Sequence, residues 1–274
     1  MQLSKHIAQG KLLYLSQGSE ALSVSENDHF RWLAFANEKG EQIIQSVMHK
    51  RKPWQLTLPH QTALLLPLLF FRPNFIVELG LGGGNLGRFL MHLSTDITMQ
   101  SIEHNKTVID CFDRYFNPSK AGVIIEHNDS QLWLQRNELQ KNRLEQAVKT
   151  KPDWLICDIY QTQQQGVSQT SKQLSTLIDN IDSNSCLSIN LPDASDDEVN
   201  LCLTILQQIQ SSHDVYYFHI PNYLNIIIQL LPKHWQTTRL LKRNKNSYLP
   251  KRSFLKWRGF WQHGSKVNAS VCFK

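Results

Sequence analysis

The segment Val77-Glu78-Leu79-Gly80-Leu81-Gly82-Gly83-Gly84-Asn85-Leu86-Gly87 constrains this chain more than any other. It lies between Phe75 to Leu81, which reads as a strand, and Asn85 to Ser94, which reads as a helix with Leu86, Phe89, Leu90 and Leu93 on one face. Glycines belong in such a turn because the chain must bend at positive φ and because a ligand can then approach the backbone without side chains intervening. The helix beyond the turn offers free N–H groups and a partial positive charge. From Asn74 onward apolar strands alternate with amphipathic helices, the signature of a parallel sheet. The further strands are Ile97 to Ile102, Val123 to Glu126, Trp154 to Ile159, Cys186 to Asn190, Val215 to His219 and Asn225 to Leu231. Val108, Ile109, Phe112, Tyr115 and Phe116 stripe one helix; Ser130 to Thr150, Leu174 to Ile181 and Asp196 to Gln210 read as others. The expected fold class is α/β, a doubly wound, Rossmann-like, mostly parallel sheet.

A chain of 274 residues, 41% of them apolar, can bury a large core and carry a small appendage. Residues 1 to 58 read as a small β module: Leu12 to Leu15, His29 to Ala36, a turn at Gly40, then Gln42 to Met48, with the period of two seen in Phe30, Trp32 and Ala34. Leu58 to Phe71 reads as one buried helix between Pro59 and Pro73. Residues 59 to 232 then form the nucleoside-binding domain, and 233 to 274 a basic aromatic tail. Gln161 to Gln173, rich in Gln, Ser and Thr and without periodicity, reads as a mobile loop.

Gly82-x-Gly84-x-x-Gly87 satisfies a dinucleotide fingerprint, so a nicotinamide cofactor must be weighed. Acidic positions argue otherwise. Glu78 precedes the glycines, where a pyrophosphate would be repelled and the cationic amino end of a methionine-derived cofactor attracted. Glu103 closes the second strand and can accept both ribose hydroxyl protons; Asp129, followed by Ser130, is placed to meet an adenine amino group. Asp158 follows the fourth strand, where ligands of open α/β sheets sit, and could take a proton from an attacking amine or hold a cationic substrate. A solvated strand end or a helix cap is the bland reading of each acid; three of them after successive strands favour binding.

The run from Asp28 to Leu90, with Phe30-Arg31-Trp32-Leu33, Leu58-Pro59-His60-Gln61 and Glu78-Leu79-Gly80-Leu81-Gly82-Gly83-Gly84, resembles the spermidine synthase (polyamine aminopropyltransferase) family. The resemblance extends through Glu103, Asp129 and Asp158 to about Leu231, and the glycine motif is shared with all class I methyltransferases. It implies that Gly80, Gly82, Gly83, Gly84, Glu78, Glu103, Asp129 and Ser130 hold S-adenosylmethionine or its decarboxylated form, with Gln45 matching a family glutamine near the cofactor. It further implies that Asp158 helps deprotonate the substrate amine and that the protein dimerises; Tyr160, two residues on, is expected to assist Asp158, and no metal is expected. Two departures stand out. The family's Asp-x-x-Asp is Asp158-Ile159-Tyr160-Gln161 here, and its Tyr-His-Glu element is replaced by Leu58-Pro59-His60-Gln61. Aminopropyl transfer to an amine, methyl transfer, and a nucleoside-binding relative without catalysis therefore all stay open.

The net charge of +6 is unevenly spread: no Asp or Glu follows Asp214, while eleven Lys and Arg lie from Lys233 to Lys274. Trp235, Tyr248, Phe254, Trp257, Phe260 and Trp261 interleave with them, a pattern that suits a nucleic-acid arm or docking onto the acidic remainder of the molecule; the structural reading is preferred. Cys111, Cys157, Cys186, Cys202 and Cys272 are odd in number and never spaced as Cys-x-x-Cys, which predicts small buried hydrophobes rather than disulfides or a zinc site. No run of 18 uncharged apolar residues and no secretory signal pattern is seen, so a cytoplasmic protein is the expectation.

Overall fold

The computed structural model describes residues 10–16, 21–36, 40–141, 151–159, 167–207, 211–235, 237 and 248–267. Strands β1 (Lys11–Leu15), β2 (Leu22–Glu26), β3 (Phe30–Ala36) and β4 (Gln42–His49) form an antiparallel sheet in that order. The larger sheet takes β5 (Phe75–Leu79), β6 (Thr98–Glu103), β7 (Ile124–His127), β8 (Trp154–Cys157), β9 (Cys186–Leu191), β10 (His213–His219), β11 (Ile226–Pro232) and β12 (Ser265–Lys266). Its order is β12-β10-β11-β9-β8-β5-β6-β7. Strands β5 to β9 pair in parallel, whereas β11, β10 and β12 add antiparallel. The α/β architecture with a mostly parallel sheet and a preceding β module is therefore present.

Helices α1 (Pro59–Leu64), α2 (Asn85–Leu93), α3 (Lys106–Cys111), α4 (Ser130–Lys141), α5 (Val167–Asp179), α6 (Asp196–Gln207) and α7 (Lys251–Trp261) complete the fold. The two faces of the large sheet are covered separately. On one lie Leu64 to Leu66, Leu68, Leu86, Leu90 and α7, packed on Ile76, Trp154 and Ile227; on the other Leu174, Leu177, Val199, Leu203 and Leu206 pack on Val77, Leu155 and Ile228. Alternate residues of β5 and β8 thus serve opposite cores, as the pleat requires. A third cluster joins Leu22, Val24, Leu33 and Met48 of the small sheet to Leu81, Val108, Ile109, Phe112 and Phe116.

Several expectations need correction. The single helix over Leu58 to Phe71 is broken: α1 ends at Leu64 and a 3₁₀ turn occupies Leu66–Leu69. Pro67 explains it, because it has no N–H to donate and its ring would meet the carbonyl four residues back. The expected loop over Gln161 to Gln173 is helical from Val167 onward. Leu174 and Leu177 bury the second half of α5, and once that half is anchored the polar residues before it extend the helix at little cost. Strands β2 and β12 were not expected at all. The end of the helix read to Thr150, residues 160–166, Tyr160 among them, and Cys272 lie outside the described residues.

Cys111, Cys157, Cys186 and Cys202 are buried free thiols. The aromatic residues near the C-terminus are mostly core: Phe254, Trp257 and Trp261 are buried, Trp257 stacking on Phe89 and Trp261 packing against Phe70, Tyr216 and Phe218. Trp235 lies against Phe71, and the Arg72 guanidinium sits 3.9 Å over Tyr248. Lys266 pairs with Asp214 at 2.8 Å, a basic tail residue meeting an acid of the sheet. Among the described residues no helix is long and apolar enough to cross a membrane.

Candidate functional site

In the large sheet the strand order reverses between β5 and β8: from β5 the chain moves to β6 and β7 on one side, then returns to β8 on the other. Such a reversal leaves a crevice beyond the carboxyl ends of the two strands. The glycine turn follows β5, and Asp158 follows β8.

The turn is shaped by three left-handed glycines, Gly80 (φ 93°), Gly82 (φ 51°) and Gly84 (φ 64°). Gly80 has a second reason to be glycine: a Cβ there would lie 2.6 Å from the Asp158 carbonyl oxygen. The close approach of the two strand ends thus depends on that residue. Gly84 is pressed by the Phe112 ring, which a Cβ would meet at 2.2 Å. The Gly83 N–H donates to Ser46 Oγ at 2.9 Å, so the small sheet grips the turn directly.

That grip depends on an irregularity in β4. Leu33 faces Ser46 but Ala34 faces Ile44, which leaves Gln45 without a partner on β3. A bulge of this kind redirects side chains. As a result Ile43, Ile44, Gln45 and Ser46 all line the same cavity, which a regular strand, with alternate residues on opposite faces, could not achieve.

The cavity, of about 200 Å³, is enclosed further by Leu58, His60 and Gln61 from α1 and the residue before it, Glu78, Gly80, Leu81 and Gly82 with Asn85 and Leu86, Asp158, Asn190, Pro192, Tyr223 and Asn225. Two polar atoms of its lining residues, Gln45 Nε2 and His60 Nδ1, are buried and lack a hydrogen-bond partner, which is unusual for buried polar atoms. Burial pushes His60 below the usual imidazole range, with the Asp158 charge opposing.

Asp158 is held by an amide relay. Asn225 Nδ2 donates to Asn190 Oδ1 at 3.0 Å, and Asn190 Nδ2 donates to Asp158 Oδ1 at 2.7 Å. Helix α1 is fixed by a second buried chain. Trp154 Nε1 donates to Ser188 Oγ, which donates to Gln229 Oε1, and Gln229 Nε2 donates to the carbonyls of Ala63 and Leu64. At the other end of α1, Gln61 Oε1 accepts from the Thr57 and Leu58 N–H groups.

The remaining expected site residues are distributed unevenly. Glu78 lines the cavity at 2% exposure and accepts from Ser101 Oγ at 2.6 Å; burial holds its carboxyl well above the usual range, Ser101 opposing and the charges of Asp158 and Glu103 adding. Glu103 adjoins the turn, accepting from Leu81 N–H at 3.1 Å and Asn105 N–H at 2.9 Å. Its burial is outweighed by these bonds and by His104, which keep it below the usual range. Neither Glu103 nor Asp129 is among the cavity-lining residues. Asp129 is exposed and accepts from Leu132 N–H at 2.9 Å, capping α4, whose first residue is Ser130. Ser46, Asn190, Asn225 and Tyr223 were not singled out from the sequence; tertiary structure alone brings Ser46 to the glycine turn, Asn190 to Asp158, Asn225 to Asn190 and Tyr223 to the cavity wall.

No family model matches the chain. It is 28% identical over 120 residues to a polyamine aminopropyltransferase of Vibrio vulnificus (strain CMCP6), a match covering 43% of this chain and 40% of that protein. The match thus spans about two-fifths of that relative's length. A probable spermidine synthase from Corynebacterium glutamicum ATCC 13032 has a similar structure, with a TM-score of 0.62 and 13% identity over 81% of this chain and 80% of that one. A spermidine synthase in complex with the transition state analogue AdoDATO gives a TM-score of 0.58 at 14% identity, over 90% of this chain and 83% of that one. At such identities the structural likeness speaks for the fold. The chain therefore has the α/β fold of these proteins, that of the class I methyltransferases, and over two-fifths of its length its sequence is similar to a polyamine aminopropyltransferase.

Proposed function

We propose that this protein is a transferase that binds S-adenosylmethionine or its decarboxylated form beside the glycine turn and delivers a carbon group to an amine held at Asp158. One observation carries the reading: the cavity joins the turn, Asp158 and two buried polar atoms without partners, Gln45 Nε2 and His60 Nδ1. The cofactor supplies an electrophilic carbon on a sulfonium, a good leaving group. What remains for the protein is positioning and deprotonation.

Asp158 suits that work because the Asn190 amide fixes one carboxylate oxygen and leaves the other for an ammonium. Asp158 would take the proton of the nucleophile, freeing the nitrogen lone pair for the electrophilic carbon that the bound sulfonium would supply. Glu103 holds the turn through Leu81 and retains lone pairs for ribose hydroxyls. Methyl transfer is the second reading, favoured by Gln45 Nε2, a buried donor suited to the carboxylate that only the undecarboxylated cofactor carries.

Calorimetry with both cofactors separates the two readings, and absence of binding by either overturns both. Asp158→Asn is expected to lower turnover about 10²–10⁴-fold, the usual range for loss of a general base. Turnover is read as release of the thioether nucleoside across a panel of amines. Cofactor affinity should be little changed, and undiminished turnover would remove Asp158 from the mechanism.

A further inference from the structure

The cavity is lined by two carboxylates, Asp158 and Glu78, and they are not equivalent. Asp158 is oriented by Asn190 and open to the cavity; Glu78 is 2% exposed and committed to Ser101. Burial, which holds the Glu78 carboxyl well above its usual range, disfavours its ionised form. The other polar lining side chains, Gln45, Ser46, His60, Gln61, Asn85, Asn190 and Asn225, are uncharged or, for His60, pushed by burial towards the neutral ring.

Among the described residues no carboxylate other than Asp158 and Glu78 lines the cavity; Glu103, beside it, is committed to the Leu81 and Asn105 N–H groups. The sequence holds no Asp or Glu from 42 to 77, from 159 to 178, or after 214, the stretches that include β4, α1, the segment following Asp158, and the turn carrying Tyr223 and Asn225. Asp193 is exposed on the turn after Pro192 and is not a lining residue. The rim is apolar: Ile44 and Tyr223 line the cavity yet remain 39% and 40% exposed, with Ile43 and Pro192 beside them.

Resting on the transferase reading above, we infer that the acceptor is an amine with one cationic centre on an apolar body, an alkyl or aromatic monoamine, rather than a diamine. One ammonium is met by Asp158, and the apolar body covers Ile44 and Tyr223. A second ammonium would leave water to find, among the described lining residues, only the buried Glu78 already committed to Ser101, a loss that polar but uncharged walls only partly offset.

The test is calorimetry on the protein saturated with 5′-methylthioadenosine, titrated with benzylamine, n-butylamine and 1,4-diaminobutane. The monoamines are expected to bind at least about tenfold more tightly than the diamine, the margin of one unpaired charge. Tyr223→Ser, at an exposed position, should weaken benzylamine about fivefold and leave 1,4-diaminobutane unchanged. Diamine binding as tight as or tighter than the monoamines overturns the inference, as does failure of every amine to bind nucleoside-loaded protein. Failure of both 5′-methylthioadenosine and S-adenosylhomocysteine to bind is a different result, and sinks the transferase reading beneath it.

Discussion

Glu78 shows how one side chain can be read correctly for place and incompletely for chemistry. Its position before the glycines put it at the crevice, and it does line the cavity. Its charge state was not legible, because that depends on Ser101 of β6 and on burial by elements distant in sequence. The sign of the consequence is definite. A carboxyl whose folded pKa lies above its ordinary value near 4.5 contributes stability that is fully present below that value and is lost as pH rises through the folded one. Glu78→Gln keeps an acceptor for Ser101 and removes the titration. Thermal melts should therefore show the variant gaining on the parent protein from pH 5 to pH 8.5. A variant-minus-parent difference in melting temperature that stays constant or falls as pH rises contradicts a Glu78 carboxyl held above its usual range by burial.

At the scale of elements, most strands and helices from β5 to β11 were readable because they have a local period or a punctuating turn; the first half of α5, read as a loop, is an exception. What failed were elements whose form is decided elsewhere. Strand β2, Leu22-Ser-Val-Ser-Glu, carries serines that resemble a loop, yet Ser23 and Ser25 are buried because the strand is paired on both sides by β1 and β3. The two-residue β12 exists only through its pairing with Tyr216 and Tyr217. Helix α1 is a related case: six residues are too few to be stable alone, and its end is held by Gln229 from β11, more than 160 positions away. Gln229→Leu would leave the Ala63 and Leu64 carbonyls and Ser188 Oγ without that amide, a loss of about 1–3 kcal/mol for buried groups left unpaired. Because α1 carries His60 and Gln61, nucleoside affinity should fall together with the denaturation midpoint. A variant that loses stability but binds normally would show that Gln229 serves the core alone.

On the scale of the whole molecule, the site exists because two sheets meet at the glycine turn, and Arg88 is the residue that ties them. It is 2% exposed on α2 and donates to the carbonyls of Pro53, Gly83 and Phe116 and to Asn85 Oδ1. One guanidinium thereby joins the segment after the small sheet, the turn, and the end of the helical segment that follows β6. Its fan of donors matters more than its charge, since three of the four acceptors are backbone carbonyls lying in different directions. Asn85 and Ser46 supplement the same junction, Asn85 Nδ2 donating to the Val47 carbonyl at 2.9 Å. Arg88→Met keeps most of the apolar stem but strands those carbonyls, and should cost about 3 kcal/mol or more in urea unfolding. Arg88→Lys should recover only part of this, because one ammonium cannot reach three directions at once. If the junction creates the site, nucleoside affinity will track stability across arginine, lysine and methionine, measured well below the unfolding transition. Unchanged affinity in a folded Arg88→Met protein would mean that the glycine turn keeps its shape without the small sheet, and that the leading β module serves some purpose other than building the pocket.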